Sequence, residues 1–352
     1  MTTSQARTFV VTAVAIILAL VGACLSGAIA QNTKVGAAPQ PIKIKLGWQK
    51  VPPLAPNYLM AQEAKKYGLD IELVEFNRYT DMRVALENGS IDFGSFGPGD
   101  MALSADTGRS NVVALAGEAT GVDLLAKRAG IGKVSWKDLA SGQIPFGSFG
   151  AGIAWVKTVA TMDEHGYDFG KVNEIKIAGT IYDVMQTLKA GSTKVVMDVE
   201  PAIAQGVKEG YAEYADELDI NSSSLGGQNA LFIANRKMLE RPEVVQLVLR
   251  DYVDQITRLQ RDPALWTQTY QAYTGIDKSV AEMSLQRVHL GLRFSQDELS
   301  NFAKFLVKKG LAKHDSLPDT VRAQYVYDPL AKVTGKSPAE LGKSAGAAEA
   351  KK

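Results

Sequence analysis

Cysteine is almost absent from this 352-residue chain, which has one, Cys24, alongside only three histidines. His165, His289 and His314 lie far apart, fall within or just after helical patterns, and form no metal-spaced cluster, so surface or capping roles suit each of them. If the chain is cleaved after Ala30, no cysteine remains, and a disulfide, a thiol nucleophile and sulfur ligation of a metal are all excluded. Both Gly-Lys-Ser triplets, starting at Gly335 and Gly342, lack the upstream glycine of a phosphate-binding loop. No catalytic constellation, cofactor motif or metal set emerges. An excess of charge is missing too. Setting Arg7 aside from the 39 basic residues leaves 38 against 38 acidic ones, a balance that argues against nucleic acid or an anionic membrane as partner.

What is present begins at the N-terminus. Arg7 is the only charged residue among the first thirty, and Phe9 to Leu25 is almost wholly apolar. Ala28-Ile29-Ala30 then supplies the small residues of a signal-peptidase site, so residues 1–30 read as a signal peptide and the mature chain starts at Gln31. A membrane anchor is the rival reading, but the small residues from Gly22 onward interrupt the apolar run before it comfortably spans a bilayer. Val21-Gly22-Ala23-Cys24 also approximates a lipoprotein cleavage site, with valine in place of the usual leucine, which would anchor the chain through Cys24. About 320 residues remain after cleavage, more than one hydrophobic core usually holds, so two lobes are expected.

Two stretches repeat a pattern. Asp81 to Ser90, running on to Pro98, and Asp183 to Ser192, running on to Pro201, place Asp, Leu, Gly and Ser in the same register. Each reads as an amphipathic helix closed by a glycine cap and followed by a buried strand. Around them the chain alternates strand and helix. Residues 31–40 form a linker, Ile42 to Leu46 alternates as a first strand, a helix opens at Pro56-Asn57-Tyr58, and strands follow at Leu69 to Phe76 and Val112 to Ala116. A short helix at Trp136 to Leu139 precedes a second run with a strand from Ile144, a helix from about Ala151 to His165 and a strand at Glu174 to Ala178. Ala230 to Ala234 reads as a strand returning to the first lobe, Pro242 to Gly310 is helical, and residues 345–352 are a low-complexity, disordered tail. Serial β-α-β-α order implies an α/β protein with open parallel sheets.

Ligands of such sheets bind beyond the carboxyl ends of the strands. The first strand ends in Gly47-Trp48-Gln49, where Trp48 is an aromatic plate or a core residue and Gln49 an amide that donates and accepts. Gly94-Ser95-Phe96-Gly97-Pro98-Gly99 offers backbone amides to an anionic or polar group. Gly147-Ser148-Phe149-Gly150 repeats the first four of these residues ahead of a helix, which makes Ser148 a candidate N-cap. Asp198 and Glu200 alternate with Val199 and so point to one face, where they bind an ammonium or amidine group or are simply solvated.

In their order and spacing these marks resemble the periplasmic solute-binding proteins of ABC importers, in the branch that includes binders of taurine, alkanesulfonates, nitrate and thiamine-pyrimidine precursors. The likeness runs from Ile42 to about Leu311 and rests on Gly47-Trp48-Gln49, Gly89-Ser90-Ile91-Asp92, Trp136-Lys137-Asp138-Leu139, Gly147-Ser148 and Glu200-Pro201. Two departures stand out: Lys194 where the family often has aspartate, and Val199 where it often has tryptophan, so the ligand does not transfer from relatives.

The resemblance implies two Rossmann-like lobes of the type II periplasmic-binding-protein fold joined by two crossing strands, residues 41–125 with 230–344 and residues 126–229. It further implies a ligand enclosed by hinge closure and passed to an ABC permease in the inner membrane, with the chain periplasmic and monomeric. The expected pocket is Trp48, Gln49, Asn57, Gly97 and Glu118 from the first lobe with Ser148, Gly150, Asp198 and Glu200 from the second. Glycine amides and Ser148 favour a sulfonate or carboxylate, and the three carboxylates favour a cationic group; a zwitterion or a substituted heteroaromatic stacked on Trp48 meets both. Two other functions carry the same fold: an enzyme acting on a sulfinate or pyrimidine precursor, which resembling enzymes perform with cysteine, and a sensory ectodomain.

Overall fold

The computed structural model describes residues 40–344 except 109, 151 and 180. The expected signal peptide, Cys24, nearly all of the linker and the tail from 345 onward lie outside the described residues. The described residues from Pro41 onward group as a single compact unit.

Eleven strands form two sheets. They are β1 (Ile42–Trp48), β2 (Leu69–Glu75), β3 (Phe93–Phe96), β4 (Val112–Thr120), β5 (Asp123–Arg128), β6 (Pro145–Ser148), β7 (Asn173–Lys176), β8 (Val195–Val199), β9 (Ala212–Tyr214), β10 (Gln228–Asn235) and β11 (His289–Leu290). The first sheet has the order β11-β4-β10-β3-β1-β2 and the second β7-β6-β8-β5-β9. In each, three parallel strands adjoin an antiparallel one: β2-β1-β3 meets β10, and β7-β6-β8 meets β5. The chain passes from the first sheet to the second between Thr120 and Asp123, and returns on β10.

Sequence explains the layering. In β8, Val195 and Met197 pack into one core while Val196 packs into another, because successive strand side chains face opposite ways. The second sheet is therefore covered on both faces. In the first sheet, β10 is buried at all eight positions and β3 at all four, which suits strands with neighbours on both sides. Phe93, Phe232 and Tyr252 stack through this core, with centroids 5.8 and 4.2 Å apart.

The two repeated stretches fold alike. The helices Tyr79–Glu87 and Ile181–Ala190 each end on a left-handed glycine, Gly89 at φ +77° and Gly191 at φ +82°. The amide of Ser90 donates to the Ala85 carbonyl at 2.9 Å, and that of Ser192 to the Thr187 carbonyl at 3.1 Å. Gly89 and Gly191 donate to the carbonyls of Leu86 and Leu188 at 3.1 and 3.2 Å. These paired bonds are a Schellman cap, in which a residue with φ above zero lets the chain reverse into the strand.

Several expected elements move. The strand from Val112 continues to Thr120, which carries Glu118 into the sheet. Expected as first-lobe residues, Asp123 to Leu125 instead pair with β8 in the second sheet. His289, assigned to a helical pattern, stands in β11. The region from Pro242 to Gly310 holds helices at Pro242–Arg261, Pro263–Thr274, Lys278–Leu285 and Gln296–Lys308. No helix among the described residues is long and apolar enough to cross a membrane.

Candidate functional site

Strand β1 delivers Trp48 to its carboxyl end, 6% exposed, and the ring is held by aromatic neighbours from two helices. Tyr58 of the helix Ala55–Glu63 lies 5.5 Å from it, and Tyr273 of the helix Pro263–Thr274 lies 5.2 Å away edge-on. Tyr58 and Tyr273 are themselves 5.1 Å apart. The Tyr273 hydroxyl donates to the Val51 carbonyl at 2.9 Å, which fastens this distant helix over the end of β1.

Beneath the aromatic group sits Glu118, fully buried on β4. Neither of its carboxylate oxygens accepts a hydrogen bond of good geometry. Burial pushes its pKa up to about 8, with the nearby Ser95 hydroxyl drawing it part of the way back. Ser95 on β3 accepts from the Asn57 amide at 3.0 Å, and Asn57 Oδ1, also buried, has no donor. Tyr79, Tyr252 and Tyr273 all lie within electrostatic reach of Glu118. A buried carboxylate with so little protein donation is costly, so its presence near a strand end marks a candidate site.

On the second sheet, β8 ends at Val199 and runs into Glu200. Asp198 is fully buried; its Oδ1 accepts from the Val199 amide at 2.7 Å and its Oδ2 has no donor. Burial holds it well above the usual carboxylate range, and the Glu200 charge adds to the shift. Glu200 is equally buried but fully engaged. The Tyr214 hydroxyl donates to Oε1 at 2.6 Å and the Ala204 amide to Oε2 at 3.1 Å. Burial raises its pKa, while these two bonds and the Arg287 charge pull it back.

The remaining expected residues are placed as follows. Gly97 sits at a close approach: a Cβ there would stand 2.7 Å from the Asn229 carbonyl oxygen of β10 and 3.0 Å from Ile153 Cδ1 of the helix Ile153–Glu164, which belongs to the second sheet's half. Gln49 turns away, donating to the Asn77 carbonyl at 2.7 Å. Ser148 is not the N-cap it was expected to be, because Gly150 takes φ +82° and the helix starts later, with Gly152 at its N-cap. The Ser148 hydroxyl instead donates to Glu174 at 2.5 Å and accepts from the Gly150 amide at 3.1 Å. Trp155 Nε1 donates to the same Glu174 oxygen at 2.8 Å.

Between the sheets a buried network ties both crossings. Lys157, 1% exposed, donates to Asp123 at 3.0 Å and to Asn221 at 3.2 Å, and Asn229 donates to the other Asp123 oxygen at 3.1 Å. The outer rim carries Lys208–Asp277, Arg287–Asp216 and Lys308–Asp163 ion pairs at 2.7, 2.5 and 2.6 Å. A cavity of about 1160 Å³ opens elsewhere, beside the edge strands β9 and β11, and is lined by Thr120, Asp216, Asn221, Arg287 and His289 among others. None of the strand ends Trp48, Phe96, Ser148 or Val199 lines it, so the strand-end site is the better candidate.

The structure thus gathers Trp48, Asn57 and Glu118, sets Gly97 at the junction, and puts Asp198 on the facing sheet. Sequence reasoning missed Tyr58, Tyr79, Ser95 and Tyr273. Tyr273 gave no local signal, since its partner Val51 is 222 residues earlier.

No family model matches the chain. Solved structures do. The alkanesulfonate-binding protein SsuA from Xanthomonas axonopodis pv. citri, bound to MOPS, matches with a TM-score of 0.66 at 16% identity, covering 82% of this chain and 100% of that one. The periplasmic nitrate-binding protein NrtA from Synechocystis PCC 6803 gives 0.67 at 12% identity, over 88% and 92% of the two chains. A probable D-methionine-binding lipoprotein, MetQ of Haemophilus influenzae, is 38% identical over 85 residues. That stretch is 24% of this chain and spans only 29% of the relative's length. The chain has the two-lobed periplasmic-binding-protein fold, and its structural neighbours include a periplasmic nitrate-binding protein and the ligand-binding component of an ABC-type import system from Staphylococcus aureus, the latter with a TM-score of 0.62 at 15% identity over 80% of this chain and 99% of that one.

Proposed function

We propose that this chain is the extracytoplasmic substrate-binding component of an ABC importer, capturing a small polar organic solute between its two lobes and handing it to an inner-membrane permease. The observation that carries this is the set of buried acceptor oxygens left without a well-formed hydrogen bond near strand ends of both sheets: those of Glu118, with Asn57 Oδ1 from the neighbouring helix, on one side and Asp198 Oδ2 on the other. A group so costly to bury is accounted for if a solute bonds to it when the lobes meet. Trp48, Asn57, Gly97, Glu118 and Asp198 form the core of the proposed contact set, with Gln49, Ser148, Gly150 and Glu200 acting around it. The fold, shared with sulfonate-, nitrate- and other solute-binding proteins, and the signal-like N-terminus support the reading.

The solute is a sulfonate, carboxylate, zwitterion or substituted heteroaromatic, and the protein transforms nothing. A thermal-shift screen of the purified mature chain tests both statements. Stabilisation by at least one compound of these classes, unchanged in mass after incubation, is expected and should vanish in Trp48→Ala. Turnover of a sulfinate or pyrimidine precursor would replace binding with catalysis.

A further inference from the structure

Within that binding reading, we infer that the solute carries a positively charged nitrogen bearing N–H groups, a primary ammonium or an amidinium-like cation, seated on Glu118 inside the box of Trp48, Tyr58, Tyr79 and Tyr273. The inference rests on the proposed function and narrows it.

Donor arithmetic comes first. Glu118 Oε1 and Oε2 and Asn57 Oδ1 are buried acceptors with no protein hydrogen bond of good geometry, and the Ser95 hydroxyl is the one protein donor that acts on Glu118. Asn57 has already spent an amide hydrogen on Ser95. The partner of such a set must therefore bring hydrogens, which an ammonium or amidinium does and a quaternary ammonium does not. A sulfonate or nitrate would bring only further acceptors. Lys157, the buried cation of the junction, is already engaged by Asp123 and Asn221.

Ring placement is the second observation. Trp48, Tyr58 and Tyr273 enclose one corner with centroids 5.1 to 5.5 Å apart, and the faces of such rings attract cations. Tyr79, on the first turn of the helix Tyr79–Glu87, is partly buried against the core and lies within electrostatic reach of Glu118.

Protonation follows from the same geometry. The titratable groups facing Glu118 are tyrosines: Tyr79, Tyr252 of the helix Pro242–Arg261, and Tyr273. Burial raises each of them, and no charged side chain contributes to the Glu118 shift. At neutral pH Glu118 is thus largely protonated, and a bound cation would ionise it, so binding should release a proton and tighten as pH rises toward about 8.

The test uses matched pairs that differ only in nitrogen against oxygen: taurine and isethionate, D-methionine and its 2-hydroxy acid, benzylamine and benzyl alcohol. Titration calorimetry of the mature chain at pH 7, in two buffers of different ionisation enthalpy, should find an amine that binds at least tenfold tighter than its oxygen twin. Close to one proton should be released per amine bound. Glu118→Gln should abolish that release and weaken the amine at least tenfold. Tyr79→Leu, which removes a partly buried wall of the box, should weaken the amine several-fold more than its oxygen twin. Equal or tighter binding of the oxygen twin, or an undiminished affinity in Glu118→Gln, overturns the cation inference while leaving solute binding intact. Silence from both members of every pair contradicts the binding function, and the inference with it.

Discussion

Glu118 near the end of β4 and Glu200 just beyond β8 are both sealed from solvent, and both belong to strands that reach the junction of the sheets. Around Glu200 the fold has built donors: a tyrosine hydroxyl at 2.6 Å, a helix amide at 3.1 Å, and the Arg287 charge within reach. Around Glu118 it has built rings, further acceptors and, as donor, only the Ser95 hydroxyl. Asp123 belongs with Glu200, since Lys157 and Asn229 answer both its oxygens, and Asp198 stands between, with one oxygen bonded and one not. Burial alone therefore does not separate structural carboxylates from functional ones. What separates them is whether the protein supplies the hydrogens.

Substitutions that withdraw or relieve those hydrogens sharpen the contrast. The largest loss is expected where an answered charge is abandoned: Lys157→Met should cost about 3–5 kcal/mol in urea denaturation, because Asp123 is left charged and buried, and adding Asp123→Asn should recover part of it. Glu118→Gln should do the opposite, gaining about 3–4 kcal/mol at pH 8.5 relative to pH 5, since it removes a buried charge that the fold compensates only weakly, through Ser95. Glu200→Ala should cost about 2–3 kcal/mol by stranding the Tyr214 hydroxyl and the Ala204 amide. The smallest effects are expected in the paired caps: Gly89→Ala and Gly191→Ala should each cost about 1 kcal/mol, as both demand φ above zero. A clear inequality between those two would show that the repeated units are not equivalent scaffolds.

Much of this was legible before any coordinates. The helix–glycine–strand repeat, the alternation of strands and helices, and the placement of Trp48 at the end of the first strand follow from periodicity and turn chemistry, whereas Glu118 lay beyond the expected strand. Other features were hidden for physical reasons. Tyr273 comes from a helix that packs back over the first sheet across 222 residues, a proximity no local pattern encodes. Ser148 looked like a cap because a helix follows it, but a left-handed Gly150 delays the helix and frees the hydroxyl for Glu174. Asp198 and Glu200 looked equivalent from their alternation, whereas their different partners arise from β9 and the helix Ala202–Lys208 behind them.

The most direct measurement is the stability of wild type and Glu118→Gln followed from pH 5 to pH 8.5. A carboxyl raised from 4.5 to about 8 on folding contributes stability that is fully present below about pH 4.5 and is lost as pH climbs through 8. The glutamine amide of the variant cannot titrate, so its stability relative to wild type should climb steadily from pH 5 and level off above pH 8, by about 3–4 kcal/mol in all. A difference that stays flat with pH, or a variant that loses ground to wild type as pH rises, would mean that the fold already answers Glu118 and that the carboxylate is not waiting for a solute.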